Sequence, residues 1–139
     1  MPDTEHARQL LQMARMDLRP LPLLEDPGLA DTGFFGFHLQ QATEKTLKAW
    51  LTLIGQDYPR THDLARLFQQ IANSGDQAVA QFLGLADLTS FAVQYRYDQV
   101  GLSDSELDRP ATARQVRGLV EHVERLLEQA ESAWPSADA

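Results

Sequence analysis

LQQATEKTLKAWL, residues 39–51, decides how this chain is read. Leu39, Ala42, Leu47, Ala49, Trp50 and Leu51, with Leu53 and Ile54 beyond them, cover about half of a helix circumference at ~100° per residue, and a helix so broadly apolar packs against more than one neighbour. Its polar residues divide into two sets. Gln41, Lys45, Lys48 and Thr52 share one polar sector, and Glu44 and Lys48, four apart in the favourable order, read as a solvent-facing ion pair. Lys48 and Thr52 are accordingly expected to be wet. Gln40 and Thr43 point with Leu47, Leu51 and Ile54, so they are expected to be partly buried and in need of hydrogen-bond partners.

Outward from this stretch the chain continues as helices. The long central one is expected from about Phe34 to Ile54, capped by Asp31 or Thr32 and closed by Gly55. Before it, Ala7, Leu10, Leu11, Ala14, Leu18 and Leu21 mark one face of a helix from about Thr4 to Arg19, ended by Pro20, Pro22, Pro27 and Gly28. After it, THDLARLFQQIA predicts a short helix with Thr61 as N-cap, stopped by Asn73, Ser74 and Gly75. Phe82, Leu85, Ala92 and Val93 predict a fourth helix from about Gln77 to Tyr97. A fifth starts at Asp108 or Arg109, with Pro110 in its first turn and a stripe from Val116 to Ala130. No segment alternates like a strand. The expected fold is all-α, an antiparallel up-and-down bundle of four long helices plus one short helix.

The 139 residues suit a single domain, residues 1–139, with a core of about 4–133 and a flexible C-terminal tail. Cysteine is absent, which excludes disulfides and thiolate metal sites. Acidic residues outnumber basic ones 20 to 12, for a net charge of -8, and this argues against a broad basic face that coats duplex nucleic acid, while leaving room for a small local basic patch. The N-terminal residues lack the pattern of a leader, and apolar runs fall well short of the roughly 18 residues of a membrane span, so a cytoplasmic protein without a membrane partner is expected.

Two more side chains join the polar group of the central helix. Asp17 lies between Leu10, Ala14 and Leu21 on an apolar face, where an unpaired carboxylate is costly. Arg96 continues the line of Phe82, Leu85, Thr89 and Ala92 to the end of the fourth helix, within reach of a carboxylate. The expected outcome is a polar cluster of Asp17, Gln40, Gln41, Glu44, Lys45 and Arg96 at one end of the bundle, with Asp17 and Arg96 paired. The plainer reading is a structural ion-pair network that orients helices and binds nothing.

Asp17-Leu18, FHLQQATEKTLKAWL at 37–51, THDLARL at 61–67 and YRYD at 95–98, taken together and in this order, resemble the HEPN family. That resemblance implies an antiparallel helical bundle that commonly dimerises, often encoded beside a minimal nucleotidyltransferase as a two-component, toxin–antitoxin-like pair. Many relatives are metal-independent RNA endonucleases with an arginine followed, four to six residues on, by a histidine. Arg96 matches the arginine, but the interval ends in Gly101, Leu102 and Ser103, so the proton-exchanging partner is missing. Arg117 and His122 have the spacing, but side chains five apart on one helix point about 140° from each other and cannot converge on one phosphate.

Among the other histidines, His62 combines a proton-exchanging ring with a helix start, although capping alone explains the THD string. His38 reads as wet-face, and His6, near the terminus, carries no signal. No histidine or carboxylate spacing suggests a metal, no cofactor is expected, and Gly33-Phe34-Phe35-Gly36 lacks the lysine and hydroxyl of a phosphate loop. The resulting expectation is a homodimeric nucleotide- or RNA-binding protein without a catalytic residue, using Gln41, Lys45, Lys48, His62, Arg96 and Tyr97, beside the cluster residues Asp17, Gln40 and Glu44. An alternative is a structural dimerisation or interaction module, with Trp50 and Phe35 on its interface. A third is a weak metal-independent ribonuclease using His62.

Overall fold

A computed structural model describes residues 2–92 and 107–134, and every described segment is helix or connection, with no strand among the described residues. Helix α1 spans Thr4–Leu18, α2 Leu21–Leu24, α3 Thr32–Leu53 and α4 Leu64–Asn73; a 3-10 helix spans Gln77–Thr89, and α5 spans Arg109–Ala133. The short α2 turn was not anticipated. It starts on Pro20 with Pro22 in its first turn, a place where a missing N–H costs nothing. Five helix starts follow one rule: Asp3, Asp31, Asp63, Asp76 and Asp108 each accept a backbone N–H of the first turn. Asp63, not Thr61, therefore caps α4, while the Thr61 hydroxyl accepts from Asp63 N at 3.0 Å. This leaves His62 just outside the helix. At the other end of α3, Gly55 takes φ +77 and Gln56 N donates to Leu51 O at 2.9 Å, a Schellman closure that glycine permits without strain.

Helix α3 is the axis of the molecule. Phe35, Leu39, Leu47, Trp50 and Leu51 are fully enclosed by α1 and α5 on one side and by α4 and the 3-10 segment on the other. Pairings along the chain fix the directions. Asp17 meets Lys45 and His6 meets Tyr58, so α1 is antiparallel to α3. Arg8 pairs with Glu131 and Arg15 with Glu124, so α1 is antiparallel to α5 as well. Trp50 touches Phe82 while Gly36 touches Phe91, so residues 77–91 run against α3. The up-and-down order holds. The interface expected at Trp50 and Phe35 does not, because both are buried by the chain's own helices.

The fourth rod differs in its winding. It is 3-10 over Gln77–Thr89 and α-helical at 90–92; the rest of the segment expected to Tyr97, with Val93, lies outside the described residues. The reason is visible in its core residues: Val79, Phe82, Leu85, Leu88 and Phe91 are buried at steps of three, the repeat of a 3-10 helix, whereas an α-helix would swing such a stripe around its axis.

Two polar side chains, Arg109 buried and His122 half-buried, brace the core. Arg109 Nη1 donates to Leu24 O and Ala30 O, both at 2.8 Å, and its guanidinium lies 5.2 Å from the Phe35 ring centre, joining the start of α5 to the α2–α3 connection. His122 sits 4.8 Å from Trp50 and 5.8 Å from Phe82, with Nε2 buried and unbonded; Trp50 Nε1 donates to Asp76 at 2.9 Å. Burial lowers the His122 pKa from its ordinary 6.5; nearby Arg125 lowers it further and Asp76 opposes. Arg117, by contrast, faces Glu25 at 3.5 Å, so Arg117 and His122 indeed serve different surroundings.

Two outcomes follow from this packing. A Cβ on Gly36 meets the Phe91 ring at 2.4 Å, so Gly36→Ala is expected to lower stability by about 1–3 kcal/mol, read as a lower urea midpoint at unchanged slope. A wild-type midpoint would mean that Phe91 does not seat there. With a lowered folded pKa, His122 contributes its full stability above 6.5 and loses it as pH falls toward the folded value, because the unfolded chain takes up the proton first. His122→Phe is expected to flatten this part of the stability profile between about pH 7 and pH 5, and an unflattened profile would place the titration elsewhere.

Candidate functional site

Gln40, Gln41, Glu44 and Lys48 of α3 form one connected polar chain with His62. Gln41 Nε2 donates to Gln40 Oε1 at 2.7 Å, and Gln40 Nε2 donates to Glu44 Oε1 at 3.1 Å and to the His62 carbonyl at 3.3 Å. Glu44 Oε1 lies 2.7 Å from His62 Nδ1, and Glu44 Oε2 accepts from Lys48 Nζ at 3.0 Å. The Lys48 ammonium in turn stands 5.4 Å from the centre of the Tyr58 ring. Tyr58 OH is 2.7 Å from His6 Nε2, and the two rings stack. Beyond this pair opens a cleft of about 500 Å³ lined by Asp3, His6, Thr52, Gln56, Asp57 and Tyr58.

Glu44 is the centre of the chain. Its side chain is only 7% exposed. Burial pushes its carboxyl pKa up, but hydrogen bonds from His62, Lys48 and Gln40 and the charge of Lys48 outweigh that and hold it below its ordinary 4.5. The ionised carboxylate therefore accepts a hydrogen bond from His62 Nδ1–H. His62 itself is 72% exposed, and its Nε2 has no partner among the described residues. The arrangement holds an imidazole in a fixed direction with one ring nitrogen presented to solvent, which suits hydrogen bonding to an anionic oxygen or exchange of a proton.

Several expectations are altered by this geometry. Gln40 and Thr43 are fully buried, Thr43 returning its hydroxyl to Leu39 O at 2.7 Å. The Glu44–Lys48 pair forms, yet it is not wet: the Lys48 side chain is 14% exposed, and Thr52 is buried with its hydroxyl on Lys48 O. The loop before α4 covers this face through Tyr58 and His62, which a projection of α3 alone does not contain. Asp17 pairs with Lys45 at 2.6 Å, apart from the Glu44 chain. Arg96, the partner proposed for Asp17, and Tyr97 lie outside the described residues, as does the whole of YRYD. His38 is half-buried between Phe34 and Phe37, with Nδ1 enclosed and unbonded, and is not on a wet face. His6 and Tyr58, 52 positions apart, carried no local sequence signal of their pairing. No group of three or more histidine and acidic side chains converges on a metal position among the described residues.

The depressed Glu44 pKa has a definite consequence. The pair contributes stability that is complete above 4.5 and is lost as pH falls through the lower folded value. Glu44→Gln is expected to destabilise the protein at neutral pH and to weaken the loss of stability on acidification below 4.5, measured by urea melts across that range. Retention of the wild-type acid profile would assign it to other carboxylates.

The HEPN domain family model matches residues 6–133, nearly the entire chain and all of the residues of the Glu44 network. Comparison with curated proteins and with solved structures finds no match. No described helix is long and apolar enough to cross a membrane. With its all-α bundle and the continuous match from α1 to the end of α5, the chain belongs to the HEPN family.

Proposed function

We propose that this HEPN domain is a homodimeric nucleotide- or RNA-binding protein that acts with a nucleotidyltransferase partner in a two-component, toxin–antitoxin-like pair. One observation carries the reading: an exposed His62 ring is anchored at 2.7 Å to a carboxylate that the fold has buried and surrounded with donors. A surface histidine needs no such mooring for solubility, whereas a ligand-contacting ring gains from a fixed direction. Gln41 and Lys48 belong to the chain that anchors the ring, Lys45 stands apart from it beside Asp17, and Arg96 and Tyr97 complete the proposed set from the segment outside the described residues. Lys45 and Lys48 reach a phosphate only by sharing their ammonium groups with Asp17 and Glu44. Exposed Leu23, Leu29 and Phe34, near the α2–α3 connection, replace Trp50 and Phe35 as the candidate dimer surface.

The same Glu44–His62 pair favours a second reading, weak metal-independent RNA cleavage with His62 exchanging the proton. Calorimetric titration with nucleoside triphosphates and with short single-stranded RNA tests the first reading. Saturable binding is expected, weakened about tenfold or more by His62→Ala, the loss of one charge-assisted hydrogen bond. No saturation at millimolar ligand would overturn it. RNA cleavage by the wild type that disappears in His62→Ala would favour the second reading.

A further inference from the structure

The rod that runs against α3 is wound in an uncommon way. Gln77–Thr89 is 3-10 over thirteen residues, although the hydrogen bonds of this helix are poorly aligned and runs longer than about four residues are rare outside hinges and strained segments. The winding is upheld from outside, by the core stripe at steps of three and, at its far end, by the Phe91 ring seated over Gly36. Yet the same residues carry an α-helical face. Val79, Phe82, Leu83 and Ala86 have the i, i+3, i+4, i+7 spacing, and Leu83 is the member that the 3-10 winding leaves in solvent, 46% exposed. It stands at the edge of an apolar cleft of about 600 Å³, which it lines with Val79 and Ala80 of the rod and Ala72 of α4. Rewinding as an α-helix gives up the Phe91 seat and turns Leu83 toward its neighbours.

One hydrogen bond connects this winding to the candidate site. Leu64 N donates to Thr89 Oγ1 at 3.0 Å, and Leu64 is the second residue after His62. From the other side α3 holds His62 by its ring, on Glu44 at 2.7 Å, and by its carbonyl, which accepts from Gln40 at 3.3 Å. The loop is therefore clamped between α3 and the last turn of the rod. An α-helix turns about 20° less and rises ~0.5 Å less per residue than a 3-10 helix, so over the stretch from Gln77 to Thr89 rewinding carries the hydroxyl about 240° around the axis and ~6 Å along it. The bond to Leu64 does not survive such a displacement.

We propose that residues 77–91 form a two-state rod whose winding sets the His62 ring: in the 3-10 state Thr89 latches Leu64 and keeps the imidazole on Glu44, and in an α-wound state the latch opens and the ring is released. Thr89 is a positioning residue in this device, acting on His62 through Leu64. The inference goes beyond the nucleotide- or RNA-binding reading and holds whichever ligand His62 meets. Coupling of this kind is reciprocal, so a ligand that fixes His62 favours the 3-10 winding.

The chain has no cysteine of its own, so Gln77→Cys with Asp87→Cys, both exposed, places a pair of spin labels on the rod. The interval between them spans about 20 Å as a 3-10 helix and about 15 Å as an α-helix. Gly36→Ala and, separately, Phe91→Ala remove the seat from opposite sides. Each is expected to shorten the distance by about 5 Å in part of the population, and to move the nitrogen chemical shifts of the neutral His62 ring from a proton fixed on Nδ1 toward the tautomer mixture of a free imidazole. Thr89→Val is expected to give the same change at His62, with exchange of the Leu64 amide at least about fivefold faster and the label distance unaltered. Thr89→Ser, which keeps the hydroxyl, is expected to match the wild type. A circular dichroism melt confirms that each variant is folded, and Phe91→Leu replaces a seat variant that is too unstable to study. A wild-type His62 ring in Thr89→Val would overturn the latch. Unaltered distances in every seat variant would overturn the two-state winding. A change at His62 in Gly36→Ala without one in Phe91→Ala would assign the transmission to α3 and overturn the rod as its route.

Discussion

A helix packed against neighbours around most of its girth has little water with which to satisfy its inward polar side chains, and that constraint on α3 organises the rest of the molecule. Thr43, Thr46 and Thr52 meet it locally, each hydroxyl returning to the carbonyl four residues back. Gln40 and Glu44 cannot, since an amide and a carboxylate carry more donors and acceptors than one turn of helix supplies. They recruit Lys48 from their own helix and His62 from the α3–α4 connection. The position of that connection is thus tied to a single buried carboxylate, and a surface feature becomes the outer end of an internal network.

The helix pairs around this axis are held by different means. α1 and α5 face each other through Arg8–Glu131 and Arg15–Glu124, partly exposed pairs whose individual contributions are small in water. The α1–α3 contact adds Asp17–Lys45, more sheltered, and the His6–Tyr58 pair at the opposite end. Arg109 spans between the start of α5 and the α2–α3 turn by caging carbonyls that no helix satisfies. Apolar burial supplies most of the driving force for such a bundle, and the polar contacts fix which ends meet.

Much of this was legible one helix at a time. Apolar periodicity located α1, α3 and α5, and the aspartates before α3 and α5 marked their starts. The broad apolar girth of α3 correctly placed Gln40 and Thr43 inside. Reading failed where the answer lay on another element: Lys48 and Thr52 project outward from α3 in isolation, and only the loop before α4 takes them from water. His6 with Tyr58, and Arg109 with Leu24 and Ala30, are long-range meetings that local spacing cannot encode. The 3-10 segment is the opposite case. Its signal, Val79, Phe82, Leu85, Leu88 and Phe91 at constant steps, is in the sequence, but a search for α periodicity gathers only part of it. The THD string shows the same competition, with Thr61 and Asp63 both suited to capping and the later one prevailing.

That 3-10 winding also acts as a ruler. Thirteen residues at ~2.0 Å each extend about 26 Å, against about 20 Å if wound at the α-helical rise of ~1.5 Å. The tighter coil lets a short run of chain reach from the Trp50 end of α3 almost back to its beginning, delivering Phe91 onto the bare backbone at Gly36. Rewinding it as an ordinary helix would leave the ring short of its seat and turn its neighbours away from the core, so the spacing of one apolar residue in three sets how far along α3 this segment reaches.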